Sequence, residues 1–245
     1  MCCIVQCSTK KNSKCSDNKC DHQPFPTKGP LAKKSQKNLL LTELRRIADP
    51  NDVYLYVIET IRYKDQKFLQ YGTGPNFQGD LVTLCTCKHL MRSSMSDCEW
   101  EGKWIAGFTG ITEYQSTNFL VYLMKVSEAF KSHYDLWFSD SISCETKLAK
   151  AAHLNMFGDI YKPKHGDIKP NKANDYEKPC EKNKRNRDWR KDIKYEKGYS
   201  GRLAALLVGC VTKSFLWDRP KIQYPDQLPR SCKKLKFNEF VRSLK

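Results

Sequence analysis

Tyr71–Arg92 reads YGTGPNFQGDLVTLCTCKHLMR, and the rest of the chain is organised around it. Gly72, Gly74, Pro75, Asn76 and Gly79 fall within eight residues. That composition suits a loop whose free N–H groups and bare backbone let a ligand come close. It equally suits a tight β-turn, in which Gly and Asn take positive φ and Pro fixes its neighbour. Leu81 to Cys87 follows as a strand, and this order excludes two familiar phosphate loops. Gly74 and Gly79 have the G-x-x-x-x-G spacing, but Asp80-Leu81 stands where Lys-Ser/Thr would hold phosphate and magnesium. A dinucleotide fingerprint would need glycine at Phe77 and a helix, not a strand, after the loop.

In a strand, Cys85 and Cys87 share one face and Thr86 takes the other. Lys88 and His89 beside them would lower a thiol pKa. Cys87 is therefore a candidate nucleophile and Lys88 a candidate acid/base, with Asp80 or Asp159 as partner. The plainer reading makes both cysteines small buried hydrophobes.

Working outward, residues 1–37 mix Cys, Lys, Ser and Pro without apolar periodicity and read as a disordered tail. Leu40, Leu44, Ile47 and Ala48 then form one helix face that ends at Asp49-Pro50. Asp52 to Tyr63 reads as a strand apolar on both faces, and Trp104 to Thr109 and Phe119 to Val126 add two more. Ser127 to Phe138 reads as a helix N-capped by Ser127, and Cys144 to Leu154 as another. Arg202 to Cys210 suits a central strand, with Ser214 to Trp217 extending or pairing with it. Phe237, Phe240, Val241 and Leu244 close the chain as an amphipathic helix. Strands that cluster rather than alternate with helices imply an α+β fold, a small mixed or antiparallel sheet curling toward a barrel and flanked by helices. Residues 38–245 are expected to be a single domain, interrupted by a charged insertion at 162–197.

The net charge of +16 is unevenly spread over the 245 residues. Residues 1–38, 162–197 and 213–245 each carry +6, and the remainder is −2. Basic peripheral segments around a neutral centre fit a polyanion held about a neutral pocket, or lysine-rich segments that only solubilise. No apolar run approaches the roughly 18 residues of a membrane span, and MCCIVQC is too short for a secretory h-region. The expected location is intracellular, in the cytoplasm, with the twelve cysteines as free thiols.

Taken in order, Gly72 to Asn76, Gly79, Thr83-Leu84, Cys87-Lys88 and Arg92 are followed by Trp104-Ile105 with Gly107, then Leu120-Val121-Tyr122 with Met124 and Val126, and last Gly158-Asp159-Ile160-Tyr161. This series resembles the nucleotide modification associated domain family, in the subtype with G-x-A-P-N, T-L-x-x-C-K-P-x-x-R, G-D-W-V-x-G, L-V-Y-x-M-x-V and G-D-N-I-Y motifs. The resemblance spans about ninety residues and implies an association with systems that modify nucleic-acid bases. With it, the expected ligand-binding set is Gly72, Gly74, Asn76, Gly79, Thr83, His89, Arg92, Trp104, Asp159 and Tyr161. Trp104 would form an aromatic wall.

Lys184, Arg185, Arg187 and Arg190 flank Trp189, a ring that could stack on a base while its neighbours hold phosphate. Cys7, Cys15, Cys20 and His22 lack the paired C-x-x-C spacing of a zinc site, so no metal or cofactor is assigned. Cys2 and Cys3 beside Lys10, Lys11 and Lys14 suit palmitoylation and peripheral membrane contact. Three functions are compatible with these features. The chain binds nucleic acid or nucleotides, it is an enzyme on a nucleotide or base with Cys87 and Lys88 in its site, or it is an interaction protein recruited through its tail.

Overall fold

A computed structural model describes residues 23–64, 67–111, 117–194 and 201–245. Its architecture is α+β, with a curled, mixed half-barrel sheet that helices flank. Strand β1 (Asp52–Val57) is buried on both faces because alternate side chains enter different cores. Tyr54 and Tyr56 join one cluster with Trp100, Ile105 and Tyr122. Val53 and Leu55 join another with Trp104, Phe108, Phe237 and Phe240.

A hairpin of β2 (Ile61–Lys64) and β3 (Lys67–Gln70) follows, then the short β4 (Thr83–Leu84). The sheet continues with β5 (Trp104–Phe108), β6 (Asn118–Phe130), β7 (Leu206–Leu216), β8 (Gln223–Tyr224) and β9 (Lys233–Lys236). Its order is β4-β7-β6-β5-β1-β9, with β8 on the far end of β6. Only β1 and β5 run parallel among these pairs. The β6–β7 ladder shifts register between Met124↔Ser214 and Val126↔Gly209, which extrudes residues 210–213 and bends the sheet.

Several expectations change. The strand expected over Asp52 to Tyr63 is split, β1 ending at Val57 and β2 beginning at Ile61 in a separate hairpin. Residues 29–37 do not belong to a disordered tail: α1 (Gly29–Lys37) starts on Pro30 and buries Leu31 and Ala32, Leu31 against the Tyr54 cluster. The helix expected from Leu40 shrinks to α2 (Leu41–Leu44). Ser127 is not an N-cap: β6 runs on to Phe130, because Glu128, Ala129 and Phe130 pair with Val208, Leu207 and Leu206. The helix after it, α5 (His133–Phe138), is capped by Ser132, which accepts from Asp135 N at 3.2 Å. Leu81 to Cys87 is a strand only at Thr83-Leu84, since the Cys85 N–H turns to the Asp159 carboxylate at 3.3 Å instead of a ladder partner.

Elsewhere α3 (His89–Arg92) and α4 (Asp97–Trp100) lead into β5, and α6 (Cys144–Ala149) stops five residues before the expected end at Leu154. The charged insertion is folded onto the domain. It holds a short 3-10 turn (Ala173–Asp175) and α7 (Trp189–Lys194), and Ala173, Tyr176 and Trp189 pack with Ala152 and Tyr161 in a core of their own. The closing helix α8 (Phe237–Ser243) covers the Trp104 face of the sheet with Phe237, Phe240 and Val241, as its periodicity predicts. Among the described residues no helix is long and apolar enough to cross a membrane.

Candidate functional site

The glycine loop is built on a buried polar network. Asn76 pairs with Thr83 through N–H···O bonds of 2.9 and 3.0 Å, and its Nδ2 donates to Phe157 O at 2.8 Å. Lys150, fully buried, donates from Nζ to Asn76 O at 2.9 Å and to Asn76 Oδ1 at 3.1 Å. The Asp159 carboxylate accepts the Thr83 hydroxyl at 2.9 Å and the Cys85 N–H at 3.3 Å. Burial pushes Asp159 up to about 6 against the opposing pull of Lys150 and the Thr83 bond. Burial likewise lowers Lys150 to about 8, with Asp159 opposing. Asn76, Thr83 and Asp159, expected at the ligand, instead hold the loop from behind. Gly79 sits at φ +71 against Thr146 and performs the same service.

The Gly74–Pro75 peptide, which is cis, lies at the front of this loop. Gly74 O accepts from the Thr60 hydroxyl and from Cys87 Sγ, the latter at 3.2 Å. A Cβ on Gly74 would stand 3.2 Å from that sulfur, and one on Gly72 only 2.4 Å from Thr60 Cγ2. Gly74 therefore lets the loop and the Cys87 turn touch. Lys88 occupies the left-handed region at φ 54, a conformation uncommon for a residue with a Cβ. Its Nζ donates to Arg230 O at 2.8 Å and lies 5.3 Å from the centre of the Tyr56 ring. Chain reversal at Lys88 turns the backbone into α3 and places His89 at the surface.

Cys87, Lys88 and His89 separate two cavities. One, of about 470 Å³, is mainly apolar and is lined by Tyr56, Ile58, Gly74, Leu90, Met91 and Cys232 along with the shared turn. The other, of about 310 Å³, is lined by the same turn with Thr86, Arg92, Arg185, Lys191, Asp192 and Ala204. Arg92 is 1 % exposed. Its Nε donates to Cys87 O at 2.7 Å and its Nη1 to Ala205 O at 2.6 Å and Ala204 O at 3.2 Å, which ties the turn to the two residues that lead into β7. Trp100 Nε1 in turn donates to Arg92 O at 2.9 Å.

Of the residues singled out in the sequence, Gly74, Cys87, Lys88, His89, Arg92 and Arg185 come together here. Gly72 and Gly79 shape the loop behind them. Trp104 does not wall the cleft: it lies on the opposite face of the sheet, 4.6 Å from the Phe237 ring. Tyr161 is buried, and its hydroxyl donates to Asp192 Oδ2, at the second cavity, at 3.0 Å. Trp189, 2 % exposed, packs near Tyr161 at 5.7 Å between centroids and is not open to stack on a base. An indole amid lysines and arginines finds its apolar neighbours in the domain, and it fastens the insertion down. That docking carries Arg185 and Lys191 to the cavity and leaves Lys184, Arg187 and Arg190 exposed.

Tyr56, Ile58, Cys232 and Lys191 were absent from the sequence-derived set. They come from the end of β1, the segment before β9 and the insertion, and no local pattern links those positions. As a nucleophile Cys87 is unfavoured, since burial pushes its thiol up to about 11 despite the guanidinium of Arg92 and the ammonium of Lys88. Among the described residues no group of three His, Cys, Asp or Glu side chains is placed to hold a metal ion. The cysteines and histidine weighed as zinc ligands, and the two weighed for palmitoylation, lie outside the described residues.

Neither a curated protein nor a solved structure matches the chain. The family model described as Nucleotide modification associated domain 2 matches residues 51–198, a span that holds the glycine loop, the Cys87–His89 turn, the buried network and all of the basic insertion. That match covers more than half of the 245 residues, and the chain belongs to the Nucleotide modification associated domain 2 family.

Proposed function

We propose that this protein binds a nucleotide, or a nucleotide unit of a nucleic acid, at the Cys87–His89 turn, in a system that modifies DNA bases. The observation that carries the reading is the shared wall: an apolar cleft of about 470 Å³ and a basic cavity of about 310 Å³ lie on either side of one three-residue turn. A base is an apolar plate with a polar edge, and its phosphate is an anion a few bonds away. An apolar slot beside a cationic one answers both needs. Membership of a family named for nucleotide modification supports the same ligand class.

In this reading Tyr56, Ile58 and Met91 contact the base, and Gly74 O and the His89 ring are within the lining that meets its polar edge. Exposed Lys184, Arg187 and Arg190 extend the basic surface toward further phosphates of a strand. The site works among cytoplasmic nucleotides and nucleic acid. Catalysis through Cys87 has less support, because a thiol held near 11 is almost wholly protonated at neutral pH.

Binding of the full chain to labelled single-stranded DNA, single-stranded RNA and free nucleotides, followed by fluorescence anisotropy and calorimetry at rising salt, tests the proposal. For a strand the affinity is expected to fall with a log–log slope of about −0.7 per phosphate neutralised. Absence of binding to all three at low salt refutes it.

A further inference from the structure

We propose that the basic cavity seats a phosphate monoester, the terminal phosphate of a nucleotide whose base lies across the turn in the apolar cleft. This rests on the nucleotide reading above and specifies which phosphate the site takes. Arg92 lies at the edge of this cavity. Its guanidinium is buried, and no carboxylate of the described residues forms an ion pair with it. Nε and Nη1 are committed to main-chain carbonyls, while Nη2 makes no hydrogen bond among the described residues. Burying an unpaired cation is costly, and carbonyl dipoles compensate it only in part. Arg92 borders the cavity, so an anion placed there would supply the missing partner.

The cavity's one acidic lining residue cannot do so, because its oxygens are already taken. Asp192 Oδ1 accepts from Arg185 Nη2 at 2.6 Å, and Oδ2 accepts from Arg185 Nε at 2.7 Å and from the Tyr161 hydroxyl at 3.0 Å. Arg185 and Asp192 thus cancel each other. The Lys88 ammonium is turned to Arg230 O and the Tyr56 ring on the apolar side, so what remains is Arg92 and Lys191, the latter paired only loosely, at 3.6 Å, with exposed Asp188. Two uncancelled positive charges meet one small cavity. A diester carries one negative charge and leaves half of that charge unmet, whereas a monoester carries about −1.5 to −2 at neutral pH. Its terminal oxygens also give Arg92 Nη2 and the Lys191 ammonium an acceptor each.

Calorimetry on the full chain with the four ribonucleosides, their 5′-monophosphates, their 3′,5′-cyclic monophosphates and inorganic phosphate tests the assignment. The best monophosphate is expected to bind at least about tenfold tighter than its nucleoside and its cyclic diester. That advantage is expected to disappear in Lys191→Ala, whose exposed side chain is not part of the core. Arg92→Gln should remove it too, with thermal melting used to confirm that this variant folds. A short oligothymidylate with and without a 5′-phosphate separates the two sources: preference for the phosphorylated strand locates the monoester on a nucleic-acid end, and indifference locates it on free nucleotides. Equal binding of nucleoside, monophosphate and cyclic diester overturns the monoester assignment and leaves the nucleotide reading standing. Binding of inorganic phosphate alone, with no nucleoside or nucleotide bound, overturns both.

Discussion

Replacing Lys150 with Met removes the cation from the network behind the glycine loop, and the structure fixes what should follow. Met matches the stem of Lys150 in length, so packing is kept and the charge is deleted. Asn76 O and Oδ1 each lose a donor but keep another, from Thr83 N and Gln78 N respectively. Asp159 is worse off, because it stays fully buried with only the Thr83 hydroxyl and the Cys85 N–H to support its charge. Stranding a buried charge costs about 3–5 kcal/mol, a large part of a domain's stability. The cost must also depend on pH. Asp159 titrates near 6 in the folded chain against an ordinary 3.8, so the folded state holds more protons between those values. Stability from this group is complete below 3.8 and is lost as pH rises through 6, by about 3 kcal/mol in all. Without Lys150 the folded pKa of Asp159 rises further, and the loss extends to higher pH. Urea unfolding followed by tryptophan fluorescence, for wild type and Lys150→Met between pH 5 and 7.5, should show a stability gap that widens with pH. Adding Asp159→Asn to Lys150→Met should recover part of the gap at pH 7.5. A gap below about 1 kcal/mol, or one that does not change with pH, would refute the argument that Lys150 sustains a buried carboxylate.

Two further outcomes test the neighbouring parts. A Cβ on Gly158 would lie 2.5 Å from Ala152 Cα and 2.6 Å from the Ala151 carbonyl carbon, both backbone atoms that cannot swing aside. Gly158→Ala should therefore destabilise by about 2–3 kcal/mol in chemical denaturation, whereas Gly166→Ala, whose new Cβ comes no nearer than 3.5 Å to Phe138, should leave stability within error. Iodoacetamide labelling of Cys87, read by peptide mass spectrometry, should accelerate continuously up to about pH 10, because the thiol titrates near 11. A labelling midpoint below 8.5 would reverse the argument against Cys87 as a nucleophile.

The elements that the sequence predicted well are those whose pattern is local. β5 announces itself as a β-rich apolar run, and α8 by apolar residues at i, i+3, i+4 and i+7, while β1 is legible only as far as Val57 of the run to Tyr63. Errors arose where a distant segment overrode the local pattern. Phe130, Tyr134 and Trp137 make a helical stripe, yet Phe130 is drawn into β6 by Leu206, seventy-six residues further on. The expected strand from Leu81 to Cys87 is cut short because the Asp159 carboxylate takes the Cys85 N–H. Charge alone made the insertion look solvated, but Tyr176 and Trp189 bury against Ala152 and Tyr161 and fold it down.

The sequence by itself determined the α+β class and the family, and it put Gly74 and Cys87–His89 in one segment, since these follow from residue types at short spacing. Tertiary structure alone decided which face each residue serves. It sent Trp104 to the far side of the sheet, Asn76, Thr83 and Asp159 behind the loop, and Tyr56, Cys232 and Lys191 to the walls of the cavities. Spacing along a chain fixes the direction of a side chain only relative to its own element. Which cavity it lines depends on the partners that the fold brings from elsewhere, and here those lie up to about 176 residues apart, from Tyr56 to Cys232.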